Sequence, residues 1–284
     1  MPNARAQRTA REIQARRALG DRRKRSRKLP RALHPMGVER EYTRALIKIV
    51  AQAKASLKPL LDALPELLGG AKLEQSRLDA GESRRAAELT AAAEQTLGSA
   101  ISVSTLDTLA LEFARKTATW QRRQMSKQVR AAFGIDLAVA DPPAMAAAIE
   151  GFQAGNVGLM RDLGRKTVSD IESTVQRGIQ NGVLHKDLAK EIEGTLVRNR
   201  NRARLIARDQ VGKFYGKVTK VRQEAIGVSR FKWRTANDER VRDEHAALEG
   251  QTFKWSEGAQ GEGIPGEPIN CRCFAEPVLD DILS

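Results

Sequence analysis

The chain has 284 residues, which is enough for one large domain or two ordinary ones. Its composition is 41% hydrophobic, 30% charged and only 4% aromatic, which favours a helix-rich globular protein over a membrane protein or a fully disordered one. The formal net charge of +14 indicates an acidic partner, and no uninterrupted apolar run is long enough to cross a bilayer.

The N-terminal segment carries most of the excess positive charge. Residues 1–40 contain thirteen Lys or Arg and three acidic residues, a net charge of +10. Pro30 and Pro35 interrupt the segment, which has too few apolar residues to fold alone. We predict a flexible basic arm over residues 1–36 that binds phosphate without sequence preference; the alternative is a solvated tail that docks on an acidic protein surface. The expected phosphate contacts are Arg22, Arg23, Lys24, Arg25, Arg27 and Lys28.

A series of helices is predicted next, because apolar residues recur every three to four positions. The predicted helices cover residues 38–57, 60–68, 73–97, 106–133, 143–181, 184–192 and 200–226, and the one over 106–133 is predicted to be the longest. The short helix that begins at residue 184 is expected to stop before Gly194. Residues 37–182 are interpreted as a helical body.

The pattern changes after Gly227. Short strands are predicted over residues 229–235, 252–255 and 272–278, a short helix over 239–248, and a Gly/Pro-rich loop over 256–268. The fold class is therefore mainly α, with an extended helical body followed by a small α+β C-terminal module. The C-terminal domain is placed at residues 183–284, where a long helix precedes the module.

The last long helix has a basic side. Lys213, Lys217 and Lys220 fall on one face at helical spacing, and the same helix also carries Arg222. These residues could contact phosphate, but a soluble helix also needs a polar outer face. We therefore favour a solvated face.

Three residues of the module could carry chemistry: His245, Cys271 and Cys273. An enzyme would use Cys271 as nucleophile and His245 as base, with a carboxylate such as Asp243 to orient the base. The spacing gives no support for this arrangement, so no catalytic residue is predicted.

A zinc site at His245, Cys271 and Cys273 is the second alternative. The Cys-x-Cys spacing is tight for zinc, and the fourth ligand is missing unless Asp243 or Glu276 supplies it. The favoured interpretation is a tight loop, held by Asn270 and Arg272, that packs against the helix carrying His245. No cofactor is predicted, and zinc stays open as the alternative.

Several segments of the C-terminal third occur together in a specific order. The first is Arg204–Gln210 on the long helix, and the others contain the motif residues Trp233, Asp238, Arg240, Arg242, His245, Gly250, Asn270, Cys271, Arg272 and Cys273. In this order and spacing, residues 200–277 resemble the phage Mu F-like family of minor head proteins, which act in head morphogenesis.

The resemblance implies a non-enzymatic minor capsid protein that enters the procapsid during assembly, near the portal vertex. The implied partners are portal protein, major capsid or scaffold protein, and packaged DNA bound without sequence specificity; no membrane is involved. The implied location is the portal-proximal interior of the virion head, after assembly in the host cytoplasm. A nuclease-like enzyme or another DNA-binding protein recruited by the basic arm is the alternative, although Arg240 and Arg242 interleave the acidic residues near His245 and favour ion pairs over a Mg²⁺ site.

Overall fold

The computed structural model describes residues 29–69, 78–133 and 141–279. The helices of these ranges are α1 (Met36–Ser56), α2 (Lys58–Gly69), α3 (Leu78–Ala100), α4 (Val103–Phe133), α5 (Pro143–Gln180), α6 (His185–Ala225) and α7 (Asp243–Ala247). The strands are β1 (Arg230–Arg234), β2 (Thr252–Lys254) and β3 (Phe274–Pro277). The predicted fold class, mainly α with a small α+β C-terminal module, is confirmed. None of the described helices is both long and apolar enough to span a membrane.

The six predicted phosphate contacts of the basic arm lie in residues 1–28, outside the described residues. Residues 29–35, which the sequence analysis included in the arm, make specific contacts with the rest of the fold. Arg31 Nη2 donates to Thr235 O at 2.6 Å, and Trp120 Nε1 donates to Leu33 O at 2.9 Å. Ala32 is buried. These seven residues are therefore an ordered extension of the fold.

The chain divides into two compact units, each built from separate stretches of sequence. The first contains Met1–Glu39, Leu111–Gln153 and Arg208–Ser284, and the second contains Arg40–Ala110 and Ala154–Ala207. Four helices, α1, α4, α5 and α6, begin in one unit and end in the other. The domain boundaries predicted at residues 36 and 182 lie near helix ends. The boundaries of the two compact units instead fall inside helices, because one long helix can contribute to two cores.

The second unit is a helical bundle with an apolar core. Gly164 on α5 allows close packing there, since a Cβ atom at this position would lie 2.9 Å from Ile101 Cδ1. A buried hydrogen bond, from Tyr42 Oη to Asn156 Oδ1 at 2.7 Å, joins α1 to α5. Tyr42 and Asn156 thus satisfy one another where the two helices pack.

Helix α6 differs from the prediction. The two helices expected on either side of Gly194 form one helix of 41 residues, so α6 and not α4 is the longest described helix. A glycine inside a helix costs about 1 kcal/mol relative to alanine. Leu188, Ile192 and Leu196 around it are buried. Their packing outweighs that cost, and the helix continues.

The C-terminal module of the first unit contains an antiparallel sheet with strand order β2-β1-β3. Phe231 pairs with Phe253 on one side of β1, and Trp233 pairs with Ala275 on the other side. Alternation along β1 buries Phe231 and Trp233 on the same face. The core cluster beneath that face consists of Phe231, Trp233, Trp255, Ala259, Ile264, Cys271, Cys273 and Ala275.

Candidate functional site

The loop that carries the two cysteines lies directly on helix α6. Gly212 and Gly216 are one helical turn apart and form the surface that receives it. A Cβ atom at Gly212 would lie 2.9 Å from Cys271 O, and one at Gly216 would overlap Pro265 O. The two glycines are therefore required for the close approach of loop and helix.

A polar contact fixes the same loop to α6. Asp209 Oδ1 accepts a hydrogen bond from Asn270 N at 3.1 Å and also pairs through Oδ2 with Lys213 Nζ at 2.8 Å. Asn270 has a φ of 57°, a left-handed conformation that asparagine tolerates better than most residues. This turn leads the chain inward, where both Cys271 and Cys273 are buried.

The imidazole of His245 lies between the two thiols. Its Nδ1 atom is 3.7 Å from Cys271 Sγ and 3.5 Å from Cys273 Sγ, and all three residues are at most 5% exposed. On the other side of the ring, Nε2 lies 2.9 Å from Glu262 Oε2. The ring edge also packs against the indole of Trp233, with 5.3 Å between centroids. We call His245, Cys271 and Cys273 the sulfur–imidazole cluster.

The pKa values of the two thiols of this cluster are shifted in opposite directions. The hydrogen bond with Cys273 lowers the pKa of Cys271 to about 6 against the effect of burial, with help from backbone N–H groups and from His245. The pKa of Cys273 is raised, first by the same hydrogen bond and then by burial. Both cysteines are free. The hydrogen bond between the two thiols therefore favours the charged form of Cys271 and disfavours the charged form of Cys273.

The carboxylate next to the cluster belongs to Glu262, whereas the sequence suggested Asp243 or Glu276 as a fourth zinc ligand. Glu276 is engaged elsewhere, since Arg234 Nη2 lies 2.9 Å from its Oε1. Across the described residues, no carboxylate oxygen joins the ligand atoms of the cluster as a fourth. Glu262 lies in the Gly/Pro-rich loop, seventeen residues from His245, and no periodic signal links the two.

The geometry disfavours a cysteine hydrolase. The cavity beside the cluster has a volume of about 20 Å³ and is lined in part by Arg242 and Asn270. Such a volume accommodates one water molecule and not a substrate. Because Cys271 and His245 are also buried, the nucleophile and its base are shielded from an incoming acyl group.

The remaining motif residues hold the module together. Asp238 Oδ1 accepts hydrogen bonds from Arg272 Nη2 at 2.8 Å and from Arg240 N at 3.1 Å. Arg242 Nη2 donates to Ile269 O at 2.6 Å. Arg240 differs from these, because its side chain is 62% exposed and its ion pair with Glu239 is long, at 3.8 Å.

Gly250 and Trp233 are joined through the backbone. Gly250 has a φ of 78° and donates its N–H to Trp233 O at 2.8 Å. The positive φ explains the glycine, since a side chain there would strain the turn that leads into β2.

An ion network beside β1 was not anticipated from the sequence. Arg234 contacts Glu276 and also Glu249, at 3.1 Å in the second case. Glu249 Oε2 in turn accepts hydrogen bonds from Thr235 N at 2.6 Å and Thr235 Oγ1 at 2.8 Å. Burial alone would raise the pKa of Glu249, but the hydrogen bonds from Thr235 and Arg234 outweigh it and hold that pKa below its ordinary value.

The basic side of α6 is partly used inside the fold. Lys213 pairs with Asp209, and Lys220 Nζ donates to Trp255 O at 2.8 Å, whereas Lys217 is exposed. Arg222 is 1% exposed, so its assignment to a solvated face is wrong. Its guanidinium bonds Asp141 at 2.5 Å and Ala118 O at 2.8 Å, and the buried charge is compensated in this way.

The motif residues, the glycine pair and the cluster all lie within a stretch that matches a known family. Residues 169–276 match the sequence model of the family described as Phage Mu protein F like protein. Residues 169–276 are therefore similar to the phage Mu F-like family. The match confirms the resemblance predicted for residues 200–277 and begins earlier, inside α5. That family is associated with phage head morphogenesis.

A relative from Haemophilus influenzae (strain ATCC 51907 / DSM 11121 / KW20 / Rd), described as an uncharacterized protein, is 30% identical over 180 residues. The aligned region is 63% of this chain but only 40% of the relative, so the chain spans well under half of that protein's length. No solved structure matches the chain. The Mu F-like match over residues 169–276 contains every motif residue discussed above.

Proposed function

We propose that this chain is a minor head protein of a tailed bacteriophage that is incorporated during head assembly. The observation that carries the proposal is the Mu F-like match over residues 169–276, which includes the whole sheet of the module except its last residue. The geometry of the module supports a structural role, because Arg242 and Arg272 hydrogen-bond within it and its sulfur–imidazole cluster is closed to substrates.

The proposed position is the portal-proximal interior of the head. In this position the chain contacts portal protein and major capsid or scaffold protein, and assembly takes place in the host cytoplasm before the virion is complete. The charge distribution supports an interior position, since an N-terminal segment with a net charge of +10 would lie against densely packed phosphate. Binding of this kind neutralises DNA without reading its sequence.

Arg240 is the motif residue best placed to contact a partner. Its side chain is 62% exposed, and its ion pair with Glu239 is long, at 3.8 Å, and therefore weak. Arg242 and Arg272, by contrast, hydrogen-bond within the module. A charge reversal at Arg240 therefore separates partner binding from folding.

The test is complementation of a phage that lacks the gene, followed by mass spectrometry of purified virions. The wild-type chain should be found in virions at low copy number and should restore the yield of filled heads. Arg240→Glu should leave thermal unfolding unchanged but reduce incorporation, whereas the matched control Lys217→Glu on the exposed side of α6 should be incorporated normally. Absence of the wild-type chain from virions and procapsids, with normal yield from the deletion phage, would refute the proposed function.

A further inference from the structure

We propose that the sulfur–imidazole cluster binds one zinc ion through His245 Nδ1, Cys271 Sγ and Cys273 Sγ. The proposal is independent of head assembly, since it rests only on these side chains and their surroundings. Among the described residues they are the group of potential metal ligands whose donor atoms converge, with all three atoms within 4.8 Å of one another. Two thiolates and an imidazole are ligands that favour zinc over harder cations.

The distances within the cluster agree with a shared metal ion. A tetrahedral zinc with Zn–S bonds of about 2.3 Å and a Zn–N bond of about 2.0 Å separates sulfur and nitrogen ligand atoms by about 3.5 Å. The two Nδ1–Sγ distances are 3.5 Å and 3.7 Å. A metal ion bound to all three atoms accounts for these two nearly equal distances.

The surroundings orient His245 as a ligand. Glu262 Oε2 lies 2.9 Å from Nε2, and a hydrogen bond there places the proton on Nε2 and leaves the Nδ1 lone pair facing the sulfurs. Cys273 N also lies 3.4 Å from Cys271 Sγ and donates to it, a contact that stabilises a thiolate. These are the outer contacts that accompany metal-bound histidine and cysteine in proteins.

A fourth position is open beside the three ligands. The cavity of about 20 Å³ reaches His245 and both cysteines, and Asn270 also lines it. Asn270 Oδ1 is buried and has no hydrogen-bond partner in the part of the chain that the structure describes. A zinc-bound water in this cavity would complete four-coordination and donate to that oxygen.

The proposed ion would connect segments that are distant in sequence. His245 lies on α7, the cysteines lie in the loop seated on α6, and Glu262 ties the Gly/Pro-rich loop to the same histidine. The sheet of the module has only three short strands, so its apolar core is small. Small cores of this size commonly depend on a structural metal or on disulfides, and both cysteines here are free.

The experiment uses the full chain, produced without a histidine tag in zinc-supplemented medium and dialysed extensively. Elemental analysis should find one zinc per chain, and a strong chelator should remove it and lower the melting temperature. Cys273→Ser should lose the zinc and should no longer respond to the chelator. His185→Gln, which changes an exposed histidine outside the cluster, should keep one zinc per chain.

Two further measurements separate loss of a ligand from loss of folding. Cys273→His restores a zinc ligand of different shape and should bind the ion again, while Cys273→Ser does not. Cobalt added to the metal-free wild-type chain should give the visible spectrum of tetrahedral cysteine-bound Co²⁺. A wild-type chain that is folded by circular dichroism yet binds neither zinc nor cobalt would overturn the proposal, and so would retention of zinc by the Cys271→Ser/Cys273→Ser double variant.

Discussion

Trp233 is the residue on which the module core depends most. Its side chain is fully buried, lies edge-on to His245 and packs at 6.4 Å from the ring of Phe253. It therefore connects the sheet to the sulfur–imidazole cluster. With few large apolar side chains available to this core, each of them carries a large share of its stability.

Trp233→Ala should destabilise the protein by about 3–5 kcal/mol, because it removes a buried aromatic ring and leaves a cavity. Denaturant unfolding of the full chain measures this loss. The full chain is needed because Arg222 hydrogen-bonds Ala118 and Asp141, and a C-terminal fragment would lack both of these residues. Ile269→Ala is the control, because Ile269 is 63% exposed and its loss should change stability by less than about 0.5 kcal/mol. Equal stability of the two variants would contradict this account of the core.

Glu249 should make the module sensitive to acid. Its pKa is lower in the folded chain than the ordinary value of 4.5, so its ionised form stabilises the fold above about pH 4.5. That contribution is lost as the pH falls below this value and through the folded pKa. Glu249→Gln should therefore be less stable than wild type at pH 7, and the difference should shrink on acidification below pH 4.5.

Urea unfolding at a series of pH values tests the role of Glu249. Glu239→Gln serves as control, because the Glu239 side chain is 84% exposed and should contribute little at any pH. A stability difference between wild type and Glu249→Gln that stays constant from pH 7 to pH 3 would show that the hydrogen bonds from Thr235 and Arg234 do not act through the ionised carboxylate.

At the scale of the element, α6 combines two kinds of glycine. Gly212 and Gly216 face the cysteine loop at distances that admit no side chain, whereas Gly194 faces open space apart from Arg198 Nη1 at 3.7 Å. The first pair is required by packing. Gly194 has no such requirement, and the helix tolerates it only because its neighbours are buried.

These glycines provide a matched pair of substitutions on one helix. Gly216→Ala should destabilise the protein by about 1–3 kcal/mol, because the new methyl group overlaps the Pro265 carbonyl and the loop must move. Gly194→Ala should instead stabilise it by up to about 1 kcal/mol through helix propensity. Thermal and denaturant unfolding of both variants give the measurement. Stabilisation by Gly216→Ala would mean that the loop does not pack on α6 as described.

At the scale of the whole molecule, positive charge is concentrated at one end of the sequence. Residues 1–28 lie outside the described residues, and residues 29–35 are bound to the first unit through Arg31 and Leu33. A deletion that tests DNA binding should therefore end at residue 28 rather than at residue 36. The longer deletion would remove contacts of the fold as well as the basic run.

Deletion of residues 1–28 should leave the melting temperature unchanged and remove most of the affinity for DNA at low salt, since the six basic residues of Arg22–Lys28 are lost. Fluorescence anisotropy with a DNA duplex across a salt titration measures the effect, which for the full chain should weaken steeply as salt rises. Replacement of those six residues by Gln in the full-length chain is the matched control for length. An unchanged binding curve for either variant would refute the role of the arm in DNA binding.

The sequence by itself determined the features that local chemistry controls. Helical periodicity located α1, α4 and α5 to within a few residues, and alternation located β1. The motif residues between Trp233 and Cys273, together with Arg204–Gln210, predicted the resemblance to the Mu F-like family that the match over residues 169–276 confirms. Each of these signals depends on residues that are close in sequence or on the order of residues along the chain. Neither requires the chain to be folded.

Only the tertiary structure decided which distant residues meet. Glu262 reaches His245, Arg222 is buried against Asp141, and Gly194 lies inside one continuous helix. In the sequence, Glu262 resembles any exposed carboxylate of a loop, and Arg222 resembles any solvated cation. Gly194 resembles the end of a helix. Their roles follow from burial and from partners far along the chain, and packing energies from those partners override the local preferences. For the two cysteines the sequence suggested a grouping with His245, and the fold supplied the distances, 3.7 Å and 3.5 Å from the two sulfurs to His245 Nδ1.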